Sequence, residues 1–277
     1  MVQPLPFVND VAIRARGLVL AWDERTALAS SDFDVPAGRV TALIGPNGSG
    51  KSTLLHAFAG LLEPVAGELT VSTRYPKSDG LAYVLQATKV NEGMPVTVRE
   101  VVLMGRFARL GMFRIAGRVD REACDAAMDR LGIGDLRDRH LDELSGGQRQ
   151  RVFVAQGLVQ EADVLLLDEP LTGLDLVSKE TIQRVVAEER DRGTTVIMTT
   201  HDLPEAGEAD HVLLLGGRVV AAGPPADVLS PALLSTAYGI PLTALEDGAI
   251  VLDDAHHRAA GARHTHFDRT GHAEHHP

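Results

Sequence analysis

A glycine-rich segment near residue 50 has the residue types and spacing of a phosphate-binding loop. Two glycines five positions apart precede a lysine and a hydroxyl residue, in the segment Gly45-Pro46-Asn47-Gly48-Ser49-Gly50-Lys51-Ser52-Thr53. Glycines let backbone N–H groups approach a phosphate closely, and a helix that follows adds its positive N-terminus. We therefore predict that Lys51 reaches the β- and γ-phosphates of a nucleoside triphosphate and that the Ser52 hydroxyl binds Mg²⁺.

A second candidate site lies where a short apolar stretch, residues 164–167, is followed directly by Asp168 and Glu169. A buried strand rarely ends in two acids for reasons of packing alone, because carboxylates are seldom buried without a partner. Asp168 is predicted to hold Mg²⁺, directly or through water. Glu169 is predicted to polarise an attacking water as a general base. Together with the glycine loop, this pair indicates hydrolysis of a nucleoside triphosphate.

Three single residues at predicted strand ends and turns are further candidates. Gln86 follows a predicted strand, so its amide can reach Mg²⁺ or the attacking water, although a polar strand end is the stronger interpretation when it is taken alone. His201 also follows a predicted strand, where ligands of parallel sheets bind, and can contact a γ-phosphate. Trp22, the only tryptophan, can stack on adenine or serve as a partly buried structural residue.

The segment Leu144-Ser145-Gly146-Gly147-Gln148 lies between the glycine loop and the acidic pair in the sequence. It begins a predicted helix, whose N-terminal amides can hold a second phosphate group. We call residues 144–148 the signature segment. The glycine loop and this second helix N-terminus are two separate sites for phosphate. Together they indicate an ATP-driven protein that works as two copies of itself.

The fold must bring the ends of several strands together to form one site from these residues. The apolar pattern of the sequence predicts such a fold. Stretches typical of buried strands alternate with helical patterns, which indicates an α/β fold with a parallel sheet. The predicted strands are 40–44, 81–85, 164–167 and 195–200 with a hairpin of 212–215 and 219–222, and the predicted helices are 52–61, 145–159 and 176–192.

Two additional regions interrupt or precede this alternation. Residues 12–22 and 31–35 have the alternating pattern of a small antiparallel β layer. Residues 87–143 are rich in Ala, Arg, Met and Leu at helical spacing, and we predict a helical lobe inserted between two strands of the sheet.

The composition of the chain limits the classes of protein to which it can belong. The 277 residues are 44% hydrophobic and carry a net charge of -11, which argues against nucleic acid as a partner because such proteins usually present a basic face. A single cysteine, Cys124, excludes an internal disulfide framework. The chain lacks a run of about 18 apolar residues, the length that crosses a membrane. Its first ten residues do not resemble a secretory signal, so we expect a cytosolic location.

Taken together, the motifs resemble those of the nucleotide-binding subunits of ABC transporters over nearly all of residues 12–240. The corresponding parts are the Walker A loop at 45–53, the Q-loop residue Gln86, the signature at 144–148, Walker B at 164–169, the D-loop at 173–175 and the switch residue His201. The resemblance implies the α/β fold of an ABC ATPase nucleotide-binding domain. That fold has a P-loop core, an antiparallel β subdomain and an inserted helical subdomain at about 87–160, here with a C-terminal extension at 241–277.

The resemblance also implies how the protein assembles. In the family, two ATPase subunits form a head-to-tail homodimer, so ATP would lie between Walker A of one copy and Ser145, Gly146, Gly147 and Gln148 of the other. The helical lobe would receive a helix of a membrane permease, which places the subunit peripherally on the cytoplasmic face of the cell membrane. An aromatic residue, usually tyrosine, stacks on adenine in this family, and Trp22 keeps that aromatic face.

One subgroup of the family is favoured. Residues 101–106, 109–111 and 113–114 look like those of zinc and manganese importer ATPases, which work with a metal-binding solute-binding protein. Zinc is our leading interpretation, and manganese or another divalent metal is the alternative.

A histidine-rich tail supports this interpretation independently. Imidazole suits Zn²⁺, and residues 252–277 contain seven of the eleven histidines: His256, His257, His264, His266, His272, His275 and His276. A solvated polar tail without a metal role is the alternative.

Two other classes of ABC protein compete with a transporter subunit. A soluble ABC ATPase that acts on nucleic acid would need a long coiled-coil insertion or two cassettes in one chain, and this acidic chain has one cassette with a compact insert. A regulatory cassette that does not hydrolyse ATP would not need Lys51, Asp168, Glu169 and His201, which are all present.

Overall fold

Twenty helices and strands follow one another in the described part of the chain. The computed structural model describes residues 10–74, 80–85, 95–110, 115–240, 242–244 and 250–252. In chain order the elements are β1 (Val11–Trp22), β2 (Arg25–Pro36), β3 (Val40–Ile44), α1 (Lys51–Phe58), β4 (Ala66–Val71), β5 (Leu81–Val84), α2 (Val98–Met104), α3 (Phe107–Leu110), α4 (Arg118–Arg130), α5 (Gly146–Leu158), β6 (Val164–Leu167), α6 (Leu176–Asp191), β7 (Thr195–Thr200), α7 (Leu203–Gly207), β8 (His211–Leu215), β9 (Val219–Gly223), α8 (Pro225–Val228), α9 (Pro231–Tyr238), β10 (Leu242–Ala244) and β11 (Ile250–Leu252).

The central sheet has six strands in the order β5-β6-β7-β3-β8-β9. The first five strands are parallel, and β9 adds an antiparallel edge. This arrangement confirms the parallel sheet expected from the sequence. Because the strands run in one direction, β3, β5, β6 and β7 all end at the same edge of the sheet, where the glycine loop, Asp168 and His201 follow them.

The strands β3, β6 and β7 are buried on both faces of the central sheet, and successive residues of these strands enter two different apolar cores. In β6, Leu165 and Leu167 pack with the helices α5 and α6 on one face, while Val164 and Leu166 pack with the antiparallel sheet and α1 on the other. Burial on both faces accounts for the uninterrupted apolar stretches that the sequence shows at these strands. Apolar packing on both faces of the sheet therefore holds the strand ends in place.

The antiparallel layer has three strands in the order β2-β1-β4. The prediction of 31–35 for the second strand was too short, because the first half of β2, from Arg25, is mostly exposed and has no regular apolar alternation. The sequence also missed β4, whose one buried residue is Val71, so no apolar pattern marks it. The predicted end of α1 at Leu61 was wrong: Gly60 adopts a left-handed backbone with φ of +72°, which ends the helical path.

The predicted helical lobe is confirmed for the described residues between β5 and α5, which form α2, α3 and α4 with two short 3₁₀ turns. Its buried side chains, including Val102 and Met128, pack on α5. Arg106 joins the parts of the lobe from inside: its guanidinium donates to Asp120 Oδ1 at 3.1 Å and to the carbonyl oxygen of Val159 at 2.7 Å. This buried side chain ties the lobe to the end of α5.

The signature segment packs tightly against the start of α6. Asp175 caps α6, because its Oδ1 accepts the N–H of Ser178 at 2.8 Å and its Oδ2 accepts the Ser178 hydroxyl at 2.8 Å. A Cβ atom on Gly147 would lie 2.5 Å from Ser178 Oγ and 2.6 Å from Asp175 Oδ2. Only glycine therefore fits at position 147 without moving the cap.

We predict that Gly147→Ala lowers the free energy of unfolding by about 1–3 kcal/mol, the usual cost of an added methyl group in a packed site. Gly146→Ala is the matched control, since no atom lies within 4 Å of the Cβ that it would gain. That variant should be neutral or stabilised by up to about 1 kcal/mol, because alanine is the better helix former. Urea unfolding of both variants measures the difference, and equal stabilities would contradict the packing argument.

Candidate functional site

The glycine loop leaves β3 and enters α1 along a path that only glycine can follow at two points. A Cβ atom on Gly45 would lie 2.2 Å from the carbonyl oxygen of Leu215. Gly50 has φ of +100°, and its Cβ atom would lie 2.8 Å from the carbonyl oxygen of Ala27. The loop is therefore held close to β8 and β2, and it leads into the first turn of α1, whose N–H groups are not capped by a side chain at Gly50.

Lys51 is buried in the loop that precedes it. Its Nζ donates to the carbonyl oxygen of Gly45 at 2.7 Å and to that of Pro46 at 3.1 Å. Burial lowers the pKa of Lys51 below its ordinary value, and the negative charges of Glu169 and Asp168 partly restore it. The ammonium group is thus curled inside the loop that the sequence predicts to bind phosphates.

The chemistry of this loop fits a polyphosphate. The hydroxyl of Ser49 is buried and has no hydrogen-bond partner in the described part of the chain. The first turn of α1 carries no acidic residue, so its positive end is left for an anion. A buried donor, a buried ammonium group and a helix N-terminus together match the needs of a nucleotide's phosphates.

Asp168 lies between hydroxyl groups from two other elements. It is 2% exposed, and its Oδ1 accepts the Thr199 hydroxyl at 2.8 Å and the Ser52 hydroxyl at 3.3 Å. A carboxylate beside a serine hydroxyl is the oxygen-rich donor set that Mg²⁺ prefers. The structure thus brings together the two predicted Mg²⁺ ligands that it describes.

Glu169 follows directly and has an unusual backbone. Its φ is +47°, a left-handed conformation that is unfavourable for a residue with a Cβ atom. Its N–H donates to Thr199 Oγ1 at 2.7 Å. Such strain is common at functional sites, where surrounding contacts hold it in place.

Trp22 stands at the end of β1, beside the loop helix. Its Nε1–H donates to Thr53 Oγ1 at 3.2 Å, and its ring meets His56 edge-on with centroids 5.8 Å apart. The side chain is 49% exposed. The indole is therefore anchored at its edge while much of its surface remains open to a ligand.

Three residues of the site were missed by sequence reasoning. Thr199 touches both acids, but a threonine inside a β-strand carries no recognisable signal. His56 meets Tyr83 edge-on with ring centroids 5.7 Å apart, and His56 belongs to none of the motifs found in the sequence. Burial, and secondarily the Asp168 carboxylate, raise the pKa of the Tyr83 phenol, which keeps it neutral beside that acid.

The signature segment begins a helix, as the sequence predicted. Ser145 caps α5: its N–H donates to Gln148 Oε1 at 3.0 Å, and its Oγ accepts the N–H of Gln148 at 3.2 Å. Ser145 and Gly146 are exposed. Within the described residues, no hydrogen bond joins this segment to the glycine loop of the same chain.

The remaining predicted residues are placed in part. His201 is exposed directly after β7, at the edge of the sheet where Asp168 also lies. Gln86 and the seven tail histidines lie outside the described residues, so their predicted roles stay predictions. The parts of the chain that are described hold no group of three or more His, Cys, Asp or Glu residues suited to a metal ion. They also include no helix that is long and apolar enough to span a membrane.

Comparisons with known proteins agree with this geometry. The zinc transport system ATP-binding protein TroB of Treponema pallidum is 39% identical over 231 residues, which cover 82% of this chain and 87% of that protein. The manganese transport system ATP-binding protein MntB of Halalkalibacterium halodurans is 36% identical over 229 residues, covering 82% of this chain and 91% of that protein. The solved structure of cbiO1 from Clostridium perfringens, part of the ABC transporter complex cbiONQ, has a TM-score of 0.69 at 29% identity and covers 82% of this chain and 94% of that one.

A sequence model of the ABC transporter family matches residues 28–172. The matched range contains the glycine loop, the signature segment, Asp168 and Glu169, and it covers the central strands that carry them. The fold predicted from the sequence, an ABC ATPase domain with a parallel sheet, is confirmed. The chain therefore belongs to the ABC transporter family.

Proposed function

We propose that this chain is the ATP-binding and ATP-hydrolysing subunit of a membrane transporter that imports a divalent metal ion, with zinc as the leading substrate and manganese as the alternative. The observation that carries the ATPase assignment is the convergence of Lys51, Ser52 and Asp168 at one edge of the sheet. The metal assignment is supported by the names of the two relatives and by the histidine-rich tail. The names of the two relatives refer to different metals, so they support metal import more strongly than they support zinc as the substrate.

In this proposal the residues divide the work of hydrolysis. Lys51 and the loop N–H groups bind the β- and γ-phosphates. Ser52 and Asp168, with Gln86, would hold Mg²⁺, which would offset the charge that develops on the phosphates. Glu169 polarises the attacking water as general base. His201 contacts the γ-phosphate from the end of β7.

The signature segment supports assembly as a homodimer. Ser145 and Gly147 begin a helix whose amides can bind a phosphate, yet no hydrogen bond in the described residues links them to their own glycine loop. Leu176 and Val177, at the start of α6 beside this segment, are 69% and 66% exposed. We propose that this apolar, phosphate-binding surface faces the ATP that a second copy holds.

The helical lobe is the proposed contact with the permease. The described residues of the lobe expose four large apolar side chains: Met104, Phe107, Ile115 and Val119. A permease helix would cover part of this surface, which places the subunit on the cytoplasmic face of the membrane, and a metal-binding solute-binding protein would deliver the substrate. The proposed domain limits are 12–240 for the ABC domain, with its helical subdomain at about 87–160, and 241–277 for the extension.

Uptake measurements test the transport assignment. A strain that lacks this subunit should lose uptake of radioactive zinc, or of manganese under the alternative, and a copy of the intact chain should restore it. A soluble ABC ATPase acting on nucleic acid is the competing function. Unchanged uptake of both metals, together with ATPase activity stimulated by DNA or RNA, would favour that function instead.

Glu169→Gln should slow ATP hydrolysis by at least about 10²-fold, because a positioned general base contributes at least that much. ATP binding should persist, and ATP should trap the variant as a dimer. Phosphate release and size-exclusion chromatography measure the two effects. Glu68→Gln, at an exposed acid of β4, is the control and should behave like the parent chain. Normal turnover in Glu169→Gln would refute its role as base.

Trp22→Ala should weaken ATP binding by about 1–3 kcal/mol, the usual value of stacking between a base and an aromatic ring. Trp22→Tyr should bind ATP almost normally because it keeps an aromatic face. Fluorescent-nucleotide titration measures both affinities, and thermal unfolding checks that the fold is intact. If the alanine variant binds ATP as tightly as the parent, Trp22 has only a structural role.

We propose that the tail binds Zn²⁺ through its seven histidines but is not needed for hydrolysis. Truncation after Leu252 should abolish that Zn²⁺ binding in calorimetry and leave ATPase activity intact. Binding to the full chain should weaken below about pH 6, because imidazoles with pKa values near 6.5 become charged and cannot ligate. Equal Zn²⁺ binding by the two forms would identify the tail as a solvated extension.

A further inference from the structure

We propose that Thr199 is a positioning residue of the hydrolytic site, whose single hydroxyl group fixes Asp168 and Glu169 relative to each other. This inference rests on the proposed ATPase function and concerns the same site. Neither the motifs of the sequence nor the matched family range points to this residue, since position 199 lies outside residues 28–172.

The hydrogen bonds of Thr199 form a bridge between the two acids. Its hydroxyl donates to Asp168 Oδ1 at 2.8 Å, and its oxygen accepts the N–H of Glu169 at 2.7 Å. Thr199 is 1% exposed, so little water reaches this bridge to compete. A hydroxyl has one proton to donate, and here that proton points at the proposed Mg²⁺ ligand.

The register of the sheet places Thr199 at this point. Strands β6 and β7 are parallel neighbours, with Leu167 beside Met198. The next residue of each chain segment is Asp168 and Thr199. Side chains alternate along a strand, and Ile197, two residues before Thr199, faces the same core as Leu166, two residues before Asp168. The hydroxyl and the carboxylate therefore emerge on the same side of the sheet.

The bridge also holds a backbone that would otherwise relax. Glu169 has φ of +47°, which a residue with a Cβ atom rarely adopts. Its N–H is secured by Thr199, and this backbone sets the direction in which the Glu169 side chain leaves the strand end. Loss of the hydroxyl would remove one hydrogen bond from the Asp168 carboxylate and one from the Glu169 backbone at the same time.

Thr199 and Ser52 have different tasks at Asp168. Ser52 donates to the same Oδ1 over a longer distance, 3.3 Å, and its oxygen lone pairs remain for Mg²⁺. The hydroxyl of Thr199 makes two short hydrogen bonds, one to Asp168 and one from the Glu169 N–H, so it is engaged with both acids rather than turned toward the metal position. Thr199 therefore orients the ligand without ligating, and its removal should weaken the response to Mg²⁺ while the phosphate-binding loop stays intact.

Thr199→Val in the full-length chain tests the proposal, since valine keeps the shape and removes only the hydroxyl. We expect kcat for ATP to fall about 10- to 100-fold, because small misplacements of catalytic groups have effects of that size. The factor by which Mg²⁺ strengthens ATP binding should fall about tenfold, as for loss of a hydrogen bond to a charged group. ATP binding without Mg²⁺ should change less than about twofold, because the loop contacts are unaltered.

Two further variants separate positioning from general stability. Thr199→Ser keeps the hydroxyl and should restore kcat and the Mg²⁺ response to within about threefold of the parent chain, since its donor is unchanged. Thr41→Val is the matched control: Thr41 is fully buried in the neighbouring strand β3, and its hydroxyl has no hydrogen-bond partner in the described part of the chain. That control should keep both its activity and its melting temperature.

The outcomes are distinct. Normal kcat and a normal Mg²⁺ response in Thr199→Val would overturn the proposal, as would equal loss in Thr199→Ser. If the valine variant does not fold, Thr199→Cys decides, because a thiol is nearly the same size but a weak donor: a full Mg²⁺ response in that variant would overturn the proposal. Failure of the parent chain to hydrolyse ATP would instead refute the proposed function.

Discussion

The carboxylate of Asp168 is a negative charge at a place that water scarcely reaches. A buried charge is costly unless hydrogen bonds and opposite charges offset the loss of hydration. Ser52 from the start of α1 and Thr199 from β7 supply hydroxyl donors, and the ammonium group of Lys51 interacts with the charge of this acid. Each donor comes from a different element, so the charge is tolerated only when those elements meet in one register.

The central sheet provides that register. Its parallel strands have apolar side chains on both faces, and the two apolar cores pack against these strands from opposite sides of the sheet. Polar and charged groups concentrate where the strands end, because the apolar packing ends there and side chains can face a ligand. The antiparallel layer contributes in a different way: it brings Trp22 beside Thr53, at the edge of the same site.

Much of this arrangement is predictable from the sequence, and the reasons are local. The strands β6 and β7 and the helix after the signature segment were predicted to within one residue, because burial on both faces leaves an unbroken apolar run and Ser145 with Gln148 forms a recognisable helix start. The strand β4 was not found, since most of its side chains face solvent. The motifs also identified the acids and the loop, because each depends on residue types at fixed spacing.

The support around the acids was beyond sequence reasoning. Thr199 matters because of the strand that lies next to it, and adjacency between β6 and β7 is a property of the folded sheet. The same holds for the edge-to-face contact of His56 with Tyr83, which joins a helix to a strand 27 positions later in the chain. Such contacts join residues that are far apart in the sequence, so no pattern within a single segment predicts them.

The fit of Gly147 against Asp175 and Ser178 restricts how this protein can evolve. Ser178 is 1% exposed and, among the residues described, forms no hydrogen bond with the glycine loop, yet the backbone of the signature segment lies so close that a residue larger than serine would collide with it. A larger residue at position 178 would push the signature segment outward, and no compensating change is available at position 147, which is already glycine. We therefore expect positions 147, 175 and 178 to be inherited as a set, so that changes at Ser178 are restrained by the shape of the signature segment against which it packs.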